Sequence, residues 1–554
     1  MSSNIARYLS QTARENPGGT AIVAPGSLPA GLPGSQVEPE PGSRWRRLSF
    51  AELDAYSDRI AAGLLRSGIR RGDRCLLMVR AGVELIAITF ALFKAGIVPV
   101  LIDPGMGRAN FLRSVERSKP TAFVGIPLAQ FARVLFPAPF RSVTHPVTVG
   151  TRWLWGGHSF AKIIQDTPAF TPVDSSADEV AAVLFTSGST GPAKGVIYTH
   201  GMFDAQVQAL KRVFDFQPGE VDLAAFPLFS LFDCALNMTS VIPDLDPAKP
   251  GKCNPAKVAE AARVWKCTSA SGSPAIWRRV FPWCAEQKTQ LPHMKRLMTF
   301  GAPIPPDLIE VARSVMPNGD VYTPYGATES LPVSCMRGQD VLAETAEKTR
   351  SGAGTCVGRP DLEVAILAIT DEALATWADA RVLAHLRPGG AVEGEVGAIG
   401  EIAVAGPVVT ESYDALPEAT AGAKIRDGNR IWHRMGDLAY LDATGRLWFC
   451  GRKAERLETA AGPLYTDPVE GIFNAWPEID RCALVGPGPR GAQRPVLVVE
   501  GAESAALRSK ILATGKVEEV VFRAALPVDT RHNAKIHRLS LKTELERSKA
   551  LVRA

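Results

Sequence analysis

Residues 75–102 constrain the fold most, reading as a buried strand at 75–79, a helix at 83–94 and a second strand at 97–102. A helix between two short apolar runs carries the chain back to the same end of a sheet, so the alternation implies parallel α/β layers. The same stretch is the most apolar of the chain, but Lys94 and Pro99 interrupt it and it fails as a membrane span. Just upstream, Ser49-Phe50-Ala51-Glu52 forms a capping-box signature, and Leu53, Tyr56, Ile60 and Leu64 recur at helical spacing until Gly68 offers a stop. Further alternation follows, with a helix at 256–265, a strand at 297–300 and a helix at 307–316. The Pro- and Gly-rich residues 24–42 lack apolar periodicity and read as a surface excursion.

With 554 residues, 46% hydrophobic and 21% charged, the chain can bury about three or four core-sized units. The formal net charge of +5 is small and neither sign forms long blocks, which gives no nucleic-acid footprint and suits small anionic ligands. Nine cysteines are scattered from Cys75 to Cys482 without a CxxC pair, as expected in a reducing cytoplasm. Eight histidines without an HExxH arrangement argue against a catalytic zinc. The N-terminus has no apolar h-region and does not read as a signal peptide.

Chemistry concentrates first at Thr186-Ser187-Gly188-Ser189-Thr190-Gly191-Pro192-Ala193-Lys194-Gly195. Glycines let the backbone approach a ligand, hydroxyls and N–H groups donate to anionic oxygens, and Lys194 supplies a cation, which together meet the needs of a polyphosphate. This is not the Walker A loop, because Lys194 precedes a glycine and the strand-like residues 196–199 instead of opening a helix. The alternative is a flexible turn joining two strands. Downstream, Tyr325 offers an aromatic face for a base, Thr328 a hydroxyl for phosphate, and Glu329 a hard oxygen suited to Mg²⁺. Asp437 can accept from two ribose hydroxyls, and Arg452 is a fixed cation with several donors.

Taken in order, Leu184 to Gly195, Tyr325-Gly326-Ala327-Thr328-Glu329, Gly436-Asp437, Gly451-Arg452 and a lysine near the C-terminus resemble the ANL superfamily of adenylate-forming enzymes. The resemblance covers nearly the whole chain. It implies an α/β ANL adenylating fold: a large N-terminal domain of layered sheets and helices, and a small mobile α+β C-terminal domain. A turn signal at Asp442-Ala443-Thr444-Gly445 and the strand at 447–450 place the boundary near 451–453, giving a large ATP- and acyl-binding domain at 1–452 and a small domain at 453–554.

Carried over residue by residue, the resemblance implies that ATP is held by Thr186, Ser187, Gly188, Ser189, Thr190, Gly191 and Lys194, with Gly301, Ala302 and Pro303 along the adenine. Tyr325 and Gly326 belong to the same nucleotide site, Asp437 takes the ribose, and Arg452 stands at the same end. Thr328 and Glu329 act in catalysis, Glu329 also as the Mg²⁺ ligand. Lys535, within Asp529-Thr530-Arg531-His532-Asn533-Ala534-Lys535-Ile536-His537-Arg538, occupies the place of the catalytic lysine and would stabilise charge on the carboxylate and α-phosphate oxygens.

The wording of Thr323-Pro324-Tyr325-Gly326-Ala327-Thr328-Glu329 and of the Arg-His-Asn-Ala-Lys-Ile run is similar to one branch, the β-lactone synthetases of bacterial long-chain olefin biosynthesis. Membership would imply adenylation of a 2-alkyl-3-hydroxyalkanoic acid, a hydroxy fatty acid whose own hydroxyl then closes the β-lactone, with a β-lactone decarboxylase and a reductase as working partners. Ala454 and Glu458 stand where the family usually has Asp or Lys, and Lys, so the domain rotation used by coenzyme A ligases is in doubt. Two other readings stay open: a long-chain fatty-acyl coenzyme A ligase and a catalytically silent nucleotide-binding partner. An apolar cleft is expected for two alkyl arms, with Phe229, Phe232 and Trp277 as wall residues, although such residues also build ordinary core.

Overall fold

The computed structural model describes residues 2–27, 32–165, 170–186, 193–528 and 535–553. The chain divides into two compact units, the first made of Met1–Thr299, Val311–Asp320 and Thr410–Thr420, the second of Phe300–Glu310, Val321–Val409 and Ala421–Ala554. Among the described residues, no helix is long and apolar enough to cross a membrane.

In the first unit a seven-stranded sheet runs in the order Lys194–Thr199, Val180–Thr186, Val98–Leu101, Arg74–Met78, Ala122–Gly125, His145–Thr148 and His158–Ser159. Only the first pair is antiparallel. The strand–helix–strand reading of residues 75–102 is thus realised as Arg74–Met78, Val83–Lys94 and Val98–Leu101, the two strands being parallel neighbours. Every residue of the intervening helix except Glu84 is buried. Lys94 can be buried because its Nζ lies 2.6 Å from Oδ1 of both Asp54 and Asp58 on the helix Phe50–Arg66. A buried ammonium is tolerated when carboxylates satisfy it. That partner helix starts on the expected capping box: the Ser49 hydroxyl accepts from Glu52 N at 3.2 Å and the Glu52 carboxylate from Ser49 N at 2.8 Å. Leu53, Tyr56, Ile60 and Leu64 form its fully buried stripe.

Another sheet of the first unit orders Arg296–Thr299, Ser269–Gly272, Val221–Ala224, Thr239–Val241, Thr20–Pro25, Trp45–Ser49 and Ser35–Val37. The last of these corrects the reading of residues 24–42 as pure excursion, since Ser35–Val37 pairs antiparallel with Trp45–Ser49. An edge position accommodates a short strand flanked by prolines, which a sheet interior excludes.

The second unit is built differently, on an antiparallel eight-stranded sheet of Thr355–Gly358, Leu447–Arg452, Arg430–Leu441, Gly400–Ala405, Glu363–Leu367, Val382–Leu386 and Val392–Gly394, with Lys424–Asp427 beside Arg430–Leu441. The turn at 442–445 joins two of its strands. There the Asp442 carboxylate accepts from Thr444 N at 2.9 Å, Arg446 N at 3.0 Å and Trp448 Nε1 at 2.9 Å, while Gly445 takes a φ of 78°. Residues beyond this sheet bury a core that includes Leu457, Phe473, Leu484, Leu497, Ile511 and Val520, around a three-stranded sheet of Cys482–Val485, Val496–Glu500 and Glu519–Arg523. The sequence boundary at 452/453 falls inside the second unit, at the end of the strand Leu447–Arg452.

Candidate active site

In the first unit, Val180–Thr186 and Lys194–Thr199 form an antiparallel hairpin in which Thr186 stands opposite Lys194. The hydroxyl- and glycine-rich segment therefore joins two adjacent strands, in keeping with its distinction from a strand-to-helix phosphate loop. Ser187, Gly188, Ser189, Thr190 and Gly191 lie outside the described residues. The root of the hairpin is tied down: Arg117 Nη1 donates to Ala193 O at 2.9 Å, and Asp414 N donates to Gly195 O at 2.7 Å. Lys194 Nζ sits 4.6 Å from the centre of the Tyr413 ring, a cation–π contact that holds the ammonium without neutralising it.

In the second unit, a group of expected residues meets. Asp437 and Arg452 are cross-strand partners on Arg430–Leu441 and Leu447–Arg452, and the ion pair between Oδ1 and Nη1 spans 2.8 Å. Gly436 precedes the aspartate at φ 66° and Gly451 precedes the arginine at φ 121°. A Cβ at Gly451 would lie 2.2 Å from Thr466 Oγ1, so only glycine fits there. The Tyr325 hydroxyl donates to Asp437 Oδ2 at 2.6 Å, and its ring tilts against Phe449 with centroids 6.2 Å apart. Burial raises the Asp437 pKa, opposed by the Arg452 guanidinium, the Tyr325 hydroxyl and the Lys535 ammonium, and reinforced by Glu329. Burial and the adjoining carboxylate push the Tyr325 phenol well above its usual value. Glu329 is buried, while Thr328 is half-buried. In the same unit Gly301 and Pro303 are exposed, Ala302 is half-buried, and Gly301 takes a φ of 96°.

Lys535 is half-buried, and its charge reaches Asp437. The residues before it, 529–534, lie outside the described ones. On its C-terminal side the lysine segment is anchored by Arg538. This guanidinium donates through Nε and Nη2 to the two Glu470 oxygens at 2.8 and 2.5 Å, and through Nη1 to Glu455 Oε2 at 3.0 Å. Both carboxylates are buried, and their charges hold the Arg538 pKa above its usual value against desolvation. This clamp escaped the sequence reading, in which Arg538 is only the end of a basic run, because Glu455 and Glu470 stand 83 and 68 residues before it.

The altered linker also finds partners. Glu458 pairs with Arg490 at 2.6 Å and Arg456 at 3.0 Å, and Asp371 pairs with Arg490 at 2.5 Å. A glutamate at 458 thus completes an alternating cluster of two acids and two arginines, which a lysine would break. Lys453 Nζ reaches Glu401 Oε2 and Thr370 O, each at 3.0 Å, whereas Ala454 contributes no charge.

Of the expected wall residues, Phe229 and Phe232 share the short helix Phe229–Ala235, with ring centroids 5.8 Å apart. Phe229 is buried and Phe232 half-buried. Trp277 is 1% exposed, packed on Gly272 and Phe281, with an Nε1 that lacks a hydrogen-bond partner. The helix Phe229–Ala235 and the strand Val221–Ala224 each contribute one acid, Asp233 and Asp222, to a buried pair that the sequence did not reveal. Asp222 accepts from Ser269 Oγ at 2.6 Å and Ser271 Oγ at 2.9 Å, and its carboxyl is pushed up to about 6 by burial. Asp233 is also buried, neither of its oxygens makes a well-formed hydrogen bond, and burial together with the Asp222 charge raises its pKa well above the carboxylate range. Register places Asp222 beside Ser240 and Ser269 on neighbouring strands, which is why these polar groups share one face.

The sequence profile of AMP-binding enzymes matches residues 9–414. The chain is 46% identical to the olefin beta-lactone synthetase of Xanthomonas campestris pv. campestris, over 97% of this chain and 96% of that protein. It is 45% identical to the olefin beta-lactone synthetase of Stenotrophomonas maltophilia, over 97% of each. Among solved structures, ATP-bound MatB from Rhodopseudomonas palustris superposes with a TM-score of 0.76 at 20% identity, covering 99% of both chains. The fold is therefore the adenylate-forming one, and this chain belongs to the AMP-binding enzyme family.

Proposed function

We propose that this protein is an ATP-dependent β-lactone synthetase. A 2-alkyl-3-hydroxyalkanoate attacks the α-phosphorus of ATP through a carboxylate oxygen, and pyrophosphate leaves. The 3-hydroxyl oxygen of the acyl adenylate then attacks its own carbonyl carbon, loses its proton and expels AMP, closing the four-membered ring. The observation that carries the reading is the shared name of two relatives aligned over nearly the entire chain. Intramolecular closure fits an enzyme with a neutral Ala454 in its linker, because no second substrate must be admitted. In this reading a reductase supplies the 3-hydroxyl and a β-lactone decarboxylase consumes the product.

The residues divide the work by chemistry. Lys194 and the segment 186–191 bind the polyphosphate, Tyr325 and Gly301 to Pro303 face the base, and Asp437 receives the ribose with Arg452 beside it. Lys535 stabilises charge on the reacting carboxylate and α-phosphate oxygens. Glu329 fits Mg²⁺, which binds enzymes through one or two carboxylates plus substrate phosphates; no cluster of three acidic, His or Cys ligands occurs among the described residues. When bound, the ion neutralises phosphate charge. Thr328 donates to phosphate, and Phe229, Phe232 and Trp277 border the alkyl arms.

The test is incubation with ATP, Mg²⁺ and a 2-alkyl-3-hydroxy acid, with and without coenzyme A, followed by analysis of nucleotides and organic products. AMP and a neutral lactone formed without coenzyme A are expected. A thioester appearing only with coenzyme A would make the enzyme an acyl coenzyme A ligase, and no AMP across a range of acids would leave a nucleotide-binding protein.

A further inference from the structure

We propose that the first unit carries a peripheral docking face for an anionic phospholipid bilayer, formed by the helix Pro127–Leu135 and the Trp153–Trp155 turn. The helix is amphipathic in an inverted sense: Ala129 and Gln130 point inward, while Leu128, Phe131, Val134 and Leu135 are 73, 55, 52 and 58% exposed. Beside it Trp153 is 67% exposed and Leu154 fully so, with the Trp153 and Trp155 rings stacked at a 6.0 Å separation. Two contacts join the turn and its strand to the helix: Arg133 Nη2 donates to Trp155 O at 2.8 Å and Gln130 Nε2 to Val147 O at 3.0 Å. Leu128, Phe131, Val134 and Leu135 recur at i, i+3, i+6 and i+7 and so share one face of the helix, and the turn is seated beside that helix. A contiguous exposed apolar patch marks an interaction surface, whereas isolated exposed leucines do not.

Charge identifies the occupant. Residues 118–165 contain no aspartate or glutamate, yet they hold Lys119, Arg133, Arg141, Arg152 and Lys162. The Arg108 guanidinium lies 5.8 Å from the Phe136 ring at the end of the helix, adding a cation at the rim. Glu116, an acid near this segment, lies 3.5 Å from Arg141. Two copies meeting through this face would lay cations against cations. An anionic membrane instead offers phosphates to the arginines, an acyl boundary to the leucines and phenylalanine, and an interface of the kind tryptophan favours. The inference goes beyond the proposed reaction and does not depend on which acid is activated.

The experiment floats the full chain with vesicles of phosphatidylcholine, alone or mixed with phosphatidylglycerol, at low and high salt. Binding to the anionic vesicles is expected, weakened by salt and reduced by at least about tenfold in a Phe131→Ser/Leu135→Ser variant. Far-UV circular dichroism and thermal unfolding report whether that variant stays folded; if it does not, a Trp153→Ser/Leu154→Ser variant is expected to show the same loss. Quenching of tryptophan fluorescence by brominated lipid should fall with Trp153→Ser, the remainder coming from Trp155 in the same turn. Failure of the wild type to bind anionic vesicles, equal binding to neutral ones, or unchanged binding by both folded variants would overturn the proposal. So would a dimer in light scattering that the same substitutions abolish, or an acidic protein shown to occupy the face.

Discussion

Tyr325 and Asp437 meet end-on, hydroxyl to carboxylate at 2.6 Å, while Arg452 faces the other Asp437 oxygen at 2.8 Å. The aspartate proposed to hold the ribose is therefore positioned before ATP arrives. Removing only the hydroxyl, by Tyr325→Phe, keeps an aromatic face for the base but strips a donor from a buried carboxylate. The expected cost is about 1–3 kcal/mol of stability in urea unfolding, with ATP affinity within about threefold of wild type. Asp437→Ala removes the ribose acceptor and should weaken ATP binding by at least about tenfold in equilibrium titration. Equal ATP affinity in Asp437→Ala and wild type would remove the ribose assignment.

Lys535 is proposed to act on the reacting oxygens, not on the nucleotide's resting position. Lys535→Ala should slow acid-dependent ATP–pyrophosphate exchange by a factor on the order of 10²–10³ while leaving ATP binding nearly intact. Unchanged turnover in the variant would take the lysine out of the adenylation step.

Much of this site was legible in the sequence because its chemistry is local. The loop at 186–195 and the string from Tyr325 to Glu329 carry donors, acceptors and glycines at adjacent positions, and Asp437 and Arg452 each follow a glycine. The helix Val83–Lys94 and the turn at Asp442 were legible for the same reason, through periodicity and turn chemistry. The hidden features depend on long-range pairing. Nothing at Asp222 announces Ser269 and Ser271 on the next strand, nothing at Arg538 announces Glu470, and Ser35–Val37 becomes a strand only because Trp45–Ser49 offers an edge. The exposed face of Pro127–Leu135 was equally invisible, since a period-3.6 apolar pattern does not say which side meets the core.

The acid pair Asp222 and Asp233 should leave a mark on stability against pH. Both folded carboxyls titrate above an unfolded value near 4. Protonation thus favours the folded state, and the associated stability is fully present below pH ~4 and lost as pH rises through about 6 for Asp222 and further up for Asp233. Asp233→Asn removes one of the two buried charges and the repulsion it exerts on Asp222. Relative to wild type, the variant's Tm should come closest to matching at or below about pH 4 and stand progressively higher toward pH 8. A variant that is less stable at pH 8 would mean that the Asp233 carboxylate is satisfied in a way its burial does not suggest.

Arg538 clamps two buried glutamates, Glu455 just past the strand Leu447–Arg452 and Glu470 on the helix Thr466–Phe473, three residues after the proposed catalytic lysine. Arg538→Met would leave both acids buried without a partner, at a cost on the order of 3–5 kcal/mol, and would confuse folding with chemistry. Arg538→Lys is the sharper probe, because an ammonium keeps the charge but cannot fork between two carboxylates. If the clamp positions Lys535, the folded Arg538→Lys enzyme should show a lower kcat for ATP–pyrophosphate exchange at an unchanged ATP Kd, by a factor of about ten and less than Lys535→Ala. In the double variant Arg538→Lys/Lys535→Ala the two losses should not multiply, since both act through the same ammonium. Multiplicative losses, or a kcat equal to wild type per folded molecule, would make the clamp structural only.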